Sequence, residues 1–258
     1  MRREFQGLLI ALYRRTLATG ILSTRLGKAA FEFAYLTYKA LVEAGKVDLL
    51  HAHIVEGGIV IDVGANIGFF TLKFARWVGA AGHVFAIEPE QENFDRLSHR
   101  VNRQGFSSRV SMIRAVAAEK SGELKLAVNP TNPADHRLSD NGIPVRAIMI
   151  DDLCASTGWP AVCLIKIDVQ GAEDRVVAGA LETLKRFSPA LYIEIEETSS
   201  AEAENGATLI DRLASLGYLA HTLEKDGAKR VTGTDAAMSI VRANGYADFL
   251  FLKMKKPQ

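Results

Sequence analysis

Hydrophobic positions along the chain alternate between short continuous runs and runs with helical spacing, and this alternation predicts the fold. The clearest example begins at Ile59, where an apolar run interrupted only by Asp62 is typical of a strand buried in a parallel sheet. Gly64 and Gly68 follow, and apolar residues then recur at helical spacing over residues 70–78. We therefore predict a strand, a glycine turn and a helix in direct succession.

The same alternation continues towards the C-terminal end. Further strands are predicted at residues 83–87, 110–114, 162–168, 190–195, 218–223 and 248–253. Helical patterns stand between most of them, centred on residues 94–101, 176–184 and 209–216. Strands that alternate with helices form a doubly wound, mostly parallel sheet, so we predict an α/β fold.

One part of the chain departs from this alternation. Residues 122–128 and 145–150 are predicted as strands with no helix between them, and the polar segment 129–142 connects them. Polar loops of this length in compact domains are often binding loops. We therefore predict a β-hairpin insertion with a candidate binding loop.

Residues 1–55 are predicted to form a helical extension ahead of a domain at residues 56–258. Residues 1–28 contain six basic residues and one acidic residue, a local charge of +5 in a chain whose net charge is +1. A basic amphipathic helix can lie on an anionic membrane surface, and it can also pack on its own domain. We favour packing and keep weak membrane contact as the alternative. A second helix is expected over residues 31–45.

Composition narrows the class of protein. The chain has 258 residues, of which 48% are apolar and 24% charged, and no apolar run reaches the length of a membrane span. A net charge of +1 argues against a nucleic-acid partner. Cys154 and Cys163 are too few for a disulfide framework and fit reduced thiols in a cytoplasmic protein.

The glycine turn after the first strand has the chemistry of a cofactor site. Glycines let the backbone approach a ligand, and a helix start offers unpaired N–H donors. Asn66 stands where a dinucleotide fingerprint needs its middle glycine, which favours a ligand without a pyrophosphate. Glu88 ends the second strand, 20 residues after Gly68, where an acid can accept both hydroxyls of a ribose. A nucleoside with an amino-acid tail and a sulfonium fits, so we predict S-adenosylmethionine.

Five segments of the chain resemble the FkbM-type methyltransferases. They are Val60–Thr71, Ile87–Pro89 with Asn93, Ala115–Ala117 before Gly122, Ile150–Leu153 and Leu164–Glu173. The first and last segments are specific in combination, and the similarity extends from about Tyr38 to Leu252. Gln170 departs from the family pattern, which often has an acid there, so a carboxylate role is not carried over to that position.

This resemblance implies a class I, Rossmann-like methyltransferase fold whose seven-stranded sheet has an antiparallel last strand. It also implies S-adenosylmethionine as the methyl donor. The family commonly methylates hydroxyl oxygens of sugars, glycans or polyketide-like natural products, and such a small-molecule or glycan acceptor is the expected partner.

Candidate cofactor residues lie where strands end, because ligands of such sheets bind outside the carboxyl ends of the strands. Asp62 is expected to help receive the ammonium of the methionine part, and Glu88 the ribose. Taken alone, Asp62 also fits a turn carboxylate and Glu88 a solvated charge, but their joint placement favours the cofactor. The full predicted set is Asp62, Gly64, Ala65, Asn66, Gly68, Phe69, Glu88, Pro89, Asn93, Ala115, Val116 and Asp168.

Methyl transfer to a hydroxyl requires removal of its proton, so a general base is expected near the methyl group. Asp168 is the leading candidate because it ends a strand on the ligand side. Glu173, Glu194 and His136 are secondary candidates. Glu173 also fits a helix-dipole role and His136 a solvated turn. Asp168 and Glu194 together suggest a divalent cation as a second possibility, but no third ligand is evident and we predict no metal.

Two other classes of protein remain as alternatives. A protein of this fold can lose catalysis and serve as a binding or assembly partner, with residues 1–28 as its contact to a membrane. A nicotinamide dehydrogenase is disfavoured by Asn66.

Overall fold

A computed structural model describes residues 44–129, 136–197 and 200–254. This part of the chain contains an eight-stranded sheet and a four-stranded sheet. The strands, in chain order, are β1 (Ile59–Val63), β2 (His83–Ile87), β3 (Val110–Ile113), β4 (Val116–Ala117), β5 (Gly122–Ala127), β6 (Arg137–Leu138), β7 (Ile143–Ile148), β8 (Val162–Ile167), β9 (Ala190–Glu196), β10 (Tyr218–Glu224), β11 (Gly227–Arg230) and β12 (Tyr246–Lys253).

Helices connect most of these strands. In chain order they are α1 (Ala44–Val47), α2 (Phe69–Trp77), α3 (Gln91–Arg103), α4 (Ile150–Ser156), α5 (Glu173–Ala178), α6 (Leu181–Phe187), α7 (Ser200–Ser215) and α8 (Thr234–Asn244), and a 3-10 helix (Asp48–His53) follows α1. The helix predicted over residues 1–28 lies outside the described residues, as does the helix predicted over 31–45 up to residue 43, so the extension and its membrane contact stay predictions. In the described part, no helix is long and apolar enough to cross a membrane.

The large sheet has the order β11-β10-β12-β9-β8-β1-β2-β3. Strands β9, β8, β1, β2 and β3 pair in parallel, whereas β12 pairs antiparallel with both β9 and β10. This arrangement confirms the mostly parallel α/β sheet and its antiparallel last strand. Strand β11 adds an eighth, exposed edge strand, which the sequence pattern did not indicate because Gly227–Arg230 has no apolar alternation.

Side chains of the parallel strands alternate between two apolar layers. Ile61 and Val63 of β1 face the layer formed with α5–α8, whereas Val60 faces the layer formed with α2 and α3. Asp62 lies on the same side of β1 as Val60, since successive side chains of a strand point to opposite faces. That second layer therefore holds the polar residues of the candidate site.

The insertion is a separate sheet in the order β4-β7-β5-β6. The antiparallel pairing of β5 with β7 agrees with the predicted hairpin. The predicted strand at 145–150 was wrong at its end, because Ile150 begins α4 instead of ending β7. The carboxylate of Asp151 in that helix accepts N–H bonds from Glu182 at 2.9 Å and Thr183 at 2.8 Å, so it caps the start of α6.

The helix predicted around residues 176–184 is divided into α5 and α6. At the break, Gly179 lies so close to the backbone carbonyl of Ala118 that a Cβ would overlap its oxygen. The N–H of Asp151 also donates to the Gly179 carbonyl at 2.9 Å. The helix stops here because the insertion packs against its backbone. Helix α8 was not predicted either.

Candidate cofactor and active site

The turn between β1 and α2 has three residues in the left-handed region: Gly64 (φ +73°), Asn66 (φ +49°) and Gly68 (φ +87°). The N–H groups of Gly64 and Ala65 both donate to the carbonyl of Ile87 at 3.0 Å. This turn, residues 64–68, is called the glycine corner below. It joins the end of β1 to the end of β2, where Glu88 follows.

Glu88 is joined directly to the glycine corner. Its Oε2 accepts the N–H of Asn66 at 2.8 Å, and its Oε1 accepts the N–H of Glu90 at 3.0 Å. The residue is only 4% exposed. Burial raises the pKa of Glu88 to about 7, although the N–H bonds from Glu90 and Asn66 oppose that shift. Its protonation therefore changes near neutral pH.

The other cofactor candidates surround these two features. Phe69 begins α2, and its ring contacts the ring of Phe70 at 5.3 Å between centroids. Asn93 is buried in α3, and its side chain contributes a hydrogen bond to the Glu88 carboxylate. Pro89 immediately precedes the α3 cap residue Glu90. Ala115 is buried between the end of β3 and the start of β4, and Val116 is buried as the first residue of β4.

Asp168 follows β8 and contacts the glycine corner on the side of β1 opposite to β2. Its N–H donates to the carbonyl of Val63 at 3.1 Å. Its own carbonyl oxygen occupies the place that a Cβ on Gly64 would need, so only glycine fits at that position. The predicted base and the predicted cofactor turn are therefore in backbone contact.

Beneath this contact lies an ionic group of Asp62, Lys166 and Asp168, of which Asp62 and Lys166 are buried. The Nζ of Lys166 is 3.4 Å from Oδ1 of Asp62 and 3.2 Å from Oδ2 of Asp168. Asp62 is fully buried, and its Oδ2 accepts the hydroxyl of Thr71 at 2.5 Å. Asp62 therefore faces Thr71 and Lys166 from within the apolar layer.

A second group of polar residues stands beside Asp168 at the ends of β8 and β9. Glu173 accepts the N–H of Gly171 at 3.1 Å, and Glu196 lies 3.3 Å from the guanidinium of Arg137. With its amide nitrogen assigned to face Glu196, Gln170 donates to both carboxylate oxygens at 3.1 and 2.7 Å. Burial raises the pKa of Glu173 to about 8, and the charges of Glu196 and Asp168 add to that shift.

Glu194 and His136 occupy different places. Glu194 is half-buried on β9, on the same face as Tyr192 and directly opposite Asp248 of β12. In the pairing of β8 with β9, Tyr192 stands opposite Lys166. Glu194, two residues further along β9, therefore stands level with Asp168, two residues beyond Lys166. His136 immediately precedes β6, and its Nδ1 accepts the N–H of Asn129 at 3.1 Å. His136 is thus in the insertion, one residue from the Arg137 that reaches Glu196.

Sequence reasoning missed part of this site. Glu196 and Asp248 were not singled out, although Glu196 follows Glu194 at the two-residue period that keeps side chains on one face of a strand. Arg137 was not singled out either. Within the described ranges, no group of three or more His, Cys, Asp or Glu side chains is arranged to hold a metal ion.

The strand order and the glycine corner define a class I methyltransferase fold. A putative rRNA-methylase structure from Clostridium thermocellum shares it with a TM-score of 0.50 at 12% identity, covering 82% of this chain and 94% of that one. At that identity the likeness concerns the fold alone.

The family follows from the sequence match. Residues 62–220 match the methyltransferase FkbM domain, so the chain belongs to the FkbM methyltransferase family, which confirms the predicted resemblance. The hexuronic acid methyltransferase AglP of Haloferax volcanii is 29% identical over 145 residues, 55% of this chain and 58% of that protein. The 2-O-methyltransferase NoeI of Sinorhizobium fredii is 27% identical over 163 residues, 57% of this chain and 66% of that protein. The matched region thus spans less than two thirds of either relative.

Proposed function

We propose that the protein transfers the methyl group of S-adenosylmethionine to a hydroxyl oxygen of a sugar, glycan or natural-product acceptor. The observation that carries this proposal is the hydrogen bond from the Asn66 N–H to the Glu88 carboxylate, which joins the glycine corner to an acid at the end of β2. Membership of the FkbM methyltransferase family supports the same donor and chemistry.

The residues present fit this donor. Glu88 has two carboxylate oxygens at the end of β2, and beyond the two N–H bonds and the hydrogen bond from Asn93 a lone pair remains for a ribose hydroxyl. Gly64 and Gly68 supply the positive φ angles of the turn, and without a Cβ they let Asp168 and Leu97 pack directly against it. The bound donor supplies an electrophilic methyl group on a sulfonium. The role of Asp62 is to neutralise and hold Lys166 beneath that position, because Asp62 is buried and faces inward.

Asp168 is the best-placed base for the acceptor hydroxyl. It lies against the glycine corner, its side chain is 24% exposed, and the ammonium of Lys166 favours its ionised form. Glu173 is less suited, because a pKa near 8 leaves it protonated at neutral pH. Glu173 instead serves as a neutral neighbour that limits repulsion beside Asp168.

The acceptor class rests on two relatives. One is named a hexuronic acid methyltransferase and the other a 2-O-methyltransferase. Half-buried Glu194 and Asp248 lie on the same face as the base, and carboxylates of this kind accept hydrogen bonds from hydroxyl groups. A hydroxyl-rich acceptor therefore fits the chemistry of this face of the sheet.

Two free cysteines fit a cytoplasmic location.

A labelled-methyl assay tests this function. Purified protein is incubated with S-adenosylmethionine carrying a radioactive methyl group and with fractionated extract of the source cells. We expect an acceptor fraction that gains base-stable label, as an ether does, and a loss of about 100-fold or more in Asp168→Asn. The exposed variant Glu182→Gln is the control. Label that alkali releases would indicate an ester and contradict O-methylation of a hydroxyl. A wild-type protein that binds the donor but labels no fraction would favour the binding-protein alternative.

A further inference from the structure

Lys166 is a cation buried under the glycine corner, with a side chain only 2% exposed. It extends from β8 between the ends of two strands. Its ammonium donates to the carbonyls of Gly64 at 2.8 Å and Val63 at 3.2 Å. The same Nζ lies within ion-pair distance of Asp62 and Asp168. One group thus contacts the cofactor turn and the proposed base together.

A purely structural role would explain the Asp62 contact. Asp62 is fully buried, and within the described chain no hydrogen bond reaches its Oδ1, so the ammonium 3.4 Å away compensates its charge. A buried carboxylate without a cation is costly. If this were the whole function of Lys166, an uncharged residue at position 62 would make the lysine dispensable.

The Asp168 contact has no such structural need, because the Asp168 side chain is 24% exposed and solvent can stabilise its charge. Acidic side chains of the described chain stand near Asp168: Glu173 of α5 interacts with it electrostatically, and Glu196 of β9 interacts with Glu173. Glu194 is next in line on β9, and Asp62 of β1 shares the same ammonium. Lys166 opposes the charge of these acidic side chains from below, and Arg137 pairs with Glu196.

We propose that Lys166 is a positioning residue that keeps the Asp168 carboxylate ionised and fixed against the glycine corner, so that donor site and base hold one relative geometry. The inference rests on the proposed function for its catalytic meaning. Its structural content, the coupling of Lys166 to Asp168, is independent of turnover.

The test compares Asp62→Asn with the double variant Asp62→Asn/Lys166→Met. The amide introduced at position 62 keeps an oxygen that can accept the Thr71 hydroxyl, and it removes the buried negative charge. We therefore expect the double variant to fold even if Lys166→Met alone does not, since no buried carboxylate at position 62 is left without its cation. Lys185→Met, in an exposed ion pair with Glu182, controls for loss of a lysine. Carbon-13 NMR of aspartate side-chain carboxyls follows the protonation of Asp168 with pH, and Asp168→Asn assigns its signal.

We expect the Asp168 carboxylate of the double variant to take up its proton at a pH about one unit higher than in Asp62→Asn. We also expect kcat for methyl transfer to fall about 100-fold while KM for S-adenosylmethionine changes much less. An unchanged titration of Asp168, or a double variant as active as Asp62→Asn, would overturn the inference. If the wild type transfers no methyl group, the proposed function fails, and the NMR titration still decides the role of Lys166.

Discussion

The N–H of Asn66 donates to Oε2 of Glu88 at 2.8 Å, although 22 residues separate the two in sequence. Asn66 reaches this position with a φ of +49°, and its own Oδ1 accepts the N–H of Ile67 at 2.7 Å. An asparagine tolerates the left-handed conformation better than most side chains, because its short amide bonds locally. The asparagine that distinguishes this turn from a dinucleotide fingerprint is therefore joined directly to the acid at the end of β2.

Donor binding should depend on pH through Glu88. Its pKa of about 7 means that the carboxylate is mostly ionised at pH 8 and mostly protonated at pH 6. If the ionised form accepts the ribose hydroxyls, the Kd for S-adenosylhomocysteine should rise about tenfold from pH 8 to pH 6. Calorimetric titration at each pH measures this. Glu88→Gln should bind weakly with little pH dependence, and an equally steep dependence in that variant would assign the effect to another group.

Gly64 should tolerate no side chain, whereas Gly105 provides a matched control. Both have nearly the same φ, +73° and +72°, but a Cβ at Gly64 meets the Asp168 carbonyl and one at Gly105 meets nothing within 4 Å. Gly105→Ala should lose about 1 kcal/mol of unfolding free energy from backbone strain alone. Gly64→Ala should lose about 1–3 kcal/mol more. Urea unfolding measures both, and equal losses would contradict the close approach.

Glu173 should make stability fall as pH rises. Its pKa is about 8 in the folded protein against an ordinary value of 4.5, so between these values the folded state binds more protons than the unfolded state. One such group contributes a slope of up to about −1.4 kcal/mol per pH unit. Relative to wild type, Glu173→Gln should therefore gain stability from pH 5 to pH 8. The exposed variant Glu182→Gln should show no such gain, and parallel pH profiles for Glu173→Gln and wild type would refute this.

Gln170 should be required as an amide in this chain, although the family often has an acid there. It donates to Glu196, so Gln170→Glu places two carboxylates in contact and should cost about 1 kcal/mol. The double variant Gln170→Glu/Glu196→Gln should recover most of that loss. A double-mutant cycle by urea unfolding measures the coupling, with Glu196→Gln alone accounting for the lost Arg137 pair. Purely additive losses would show that the two side chains do not interact.

Sequence patterns predicted the parallel strands well because each is a short, mostly apolar run, and β1 ends directly at Gly64. The turn at Gly64 and Gly68 was also predictable, since its positive φ angles require glycine or asparagine. Strand β11 was missed because it is an exposed edge strand without apolar alternation, whereas helix α8 was missed although Ala237, Met238 and Val241 recur at helical spacing. The break at Gly179 depends on a tertiary contact with Ala118 that no local pattern encodes.

The candidate site was predictable only where strand ends meet. Glu88 and Asp168 follow buried strands, and parallel strands bring their carboxyl ends to one edge. The inward direction of Asp62 towards Thr71 and Lys166 depends on how α2 packs over β1, which sequence spacing does not show. The pairing of Arg137 with Glu196 joins two sheets and is likewise tertiary.

Calorimetric titration of S-adenosylhomocysteine into the wild type and Glu88→Ala at pH 8 tests the central claim, that the glycine corner and Glu88 bind the methyl donor. We predict one site per chain for the wild type and at least about tenfold weaker binding for Glu88→Ala, since loss of a charged hydrogen-bond partner typically costs about 1.5–3 kcal/mol. Circular dichroism confirms that the variant is folded, and Glu182→Ala should bind like the wild type. No binding by the wild type, or equal affinity in Glu88→Ala, would contradict the account.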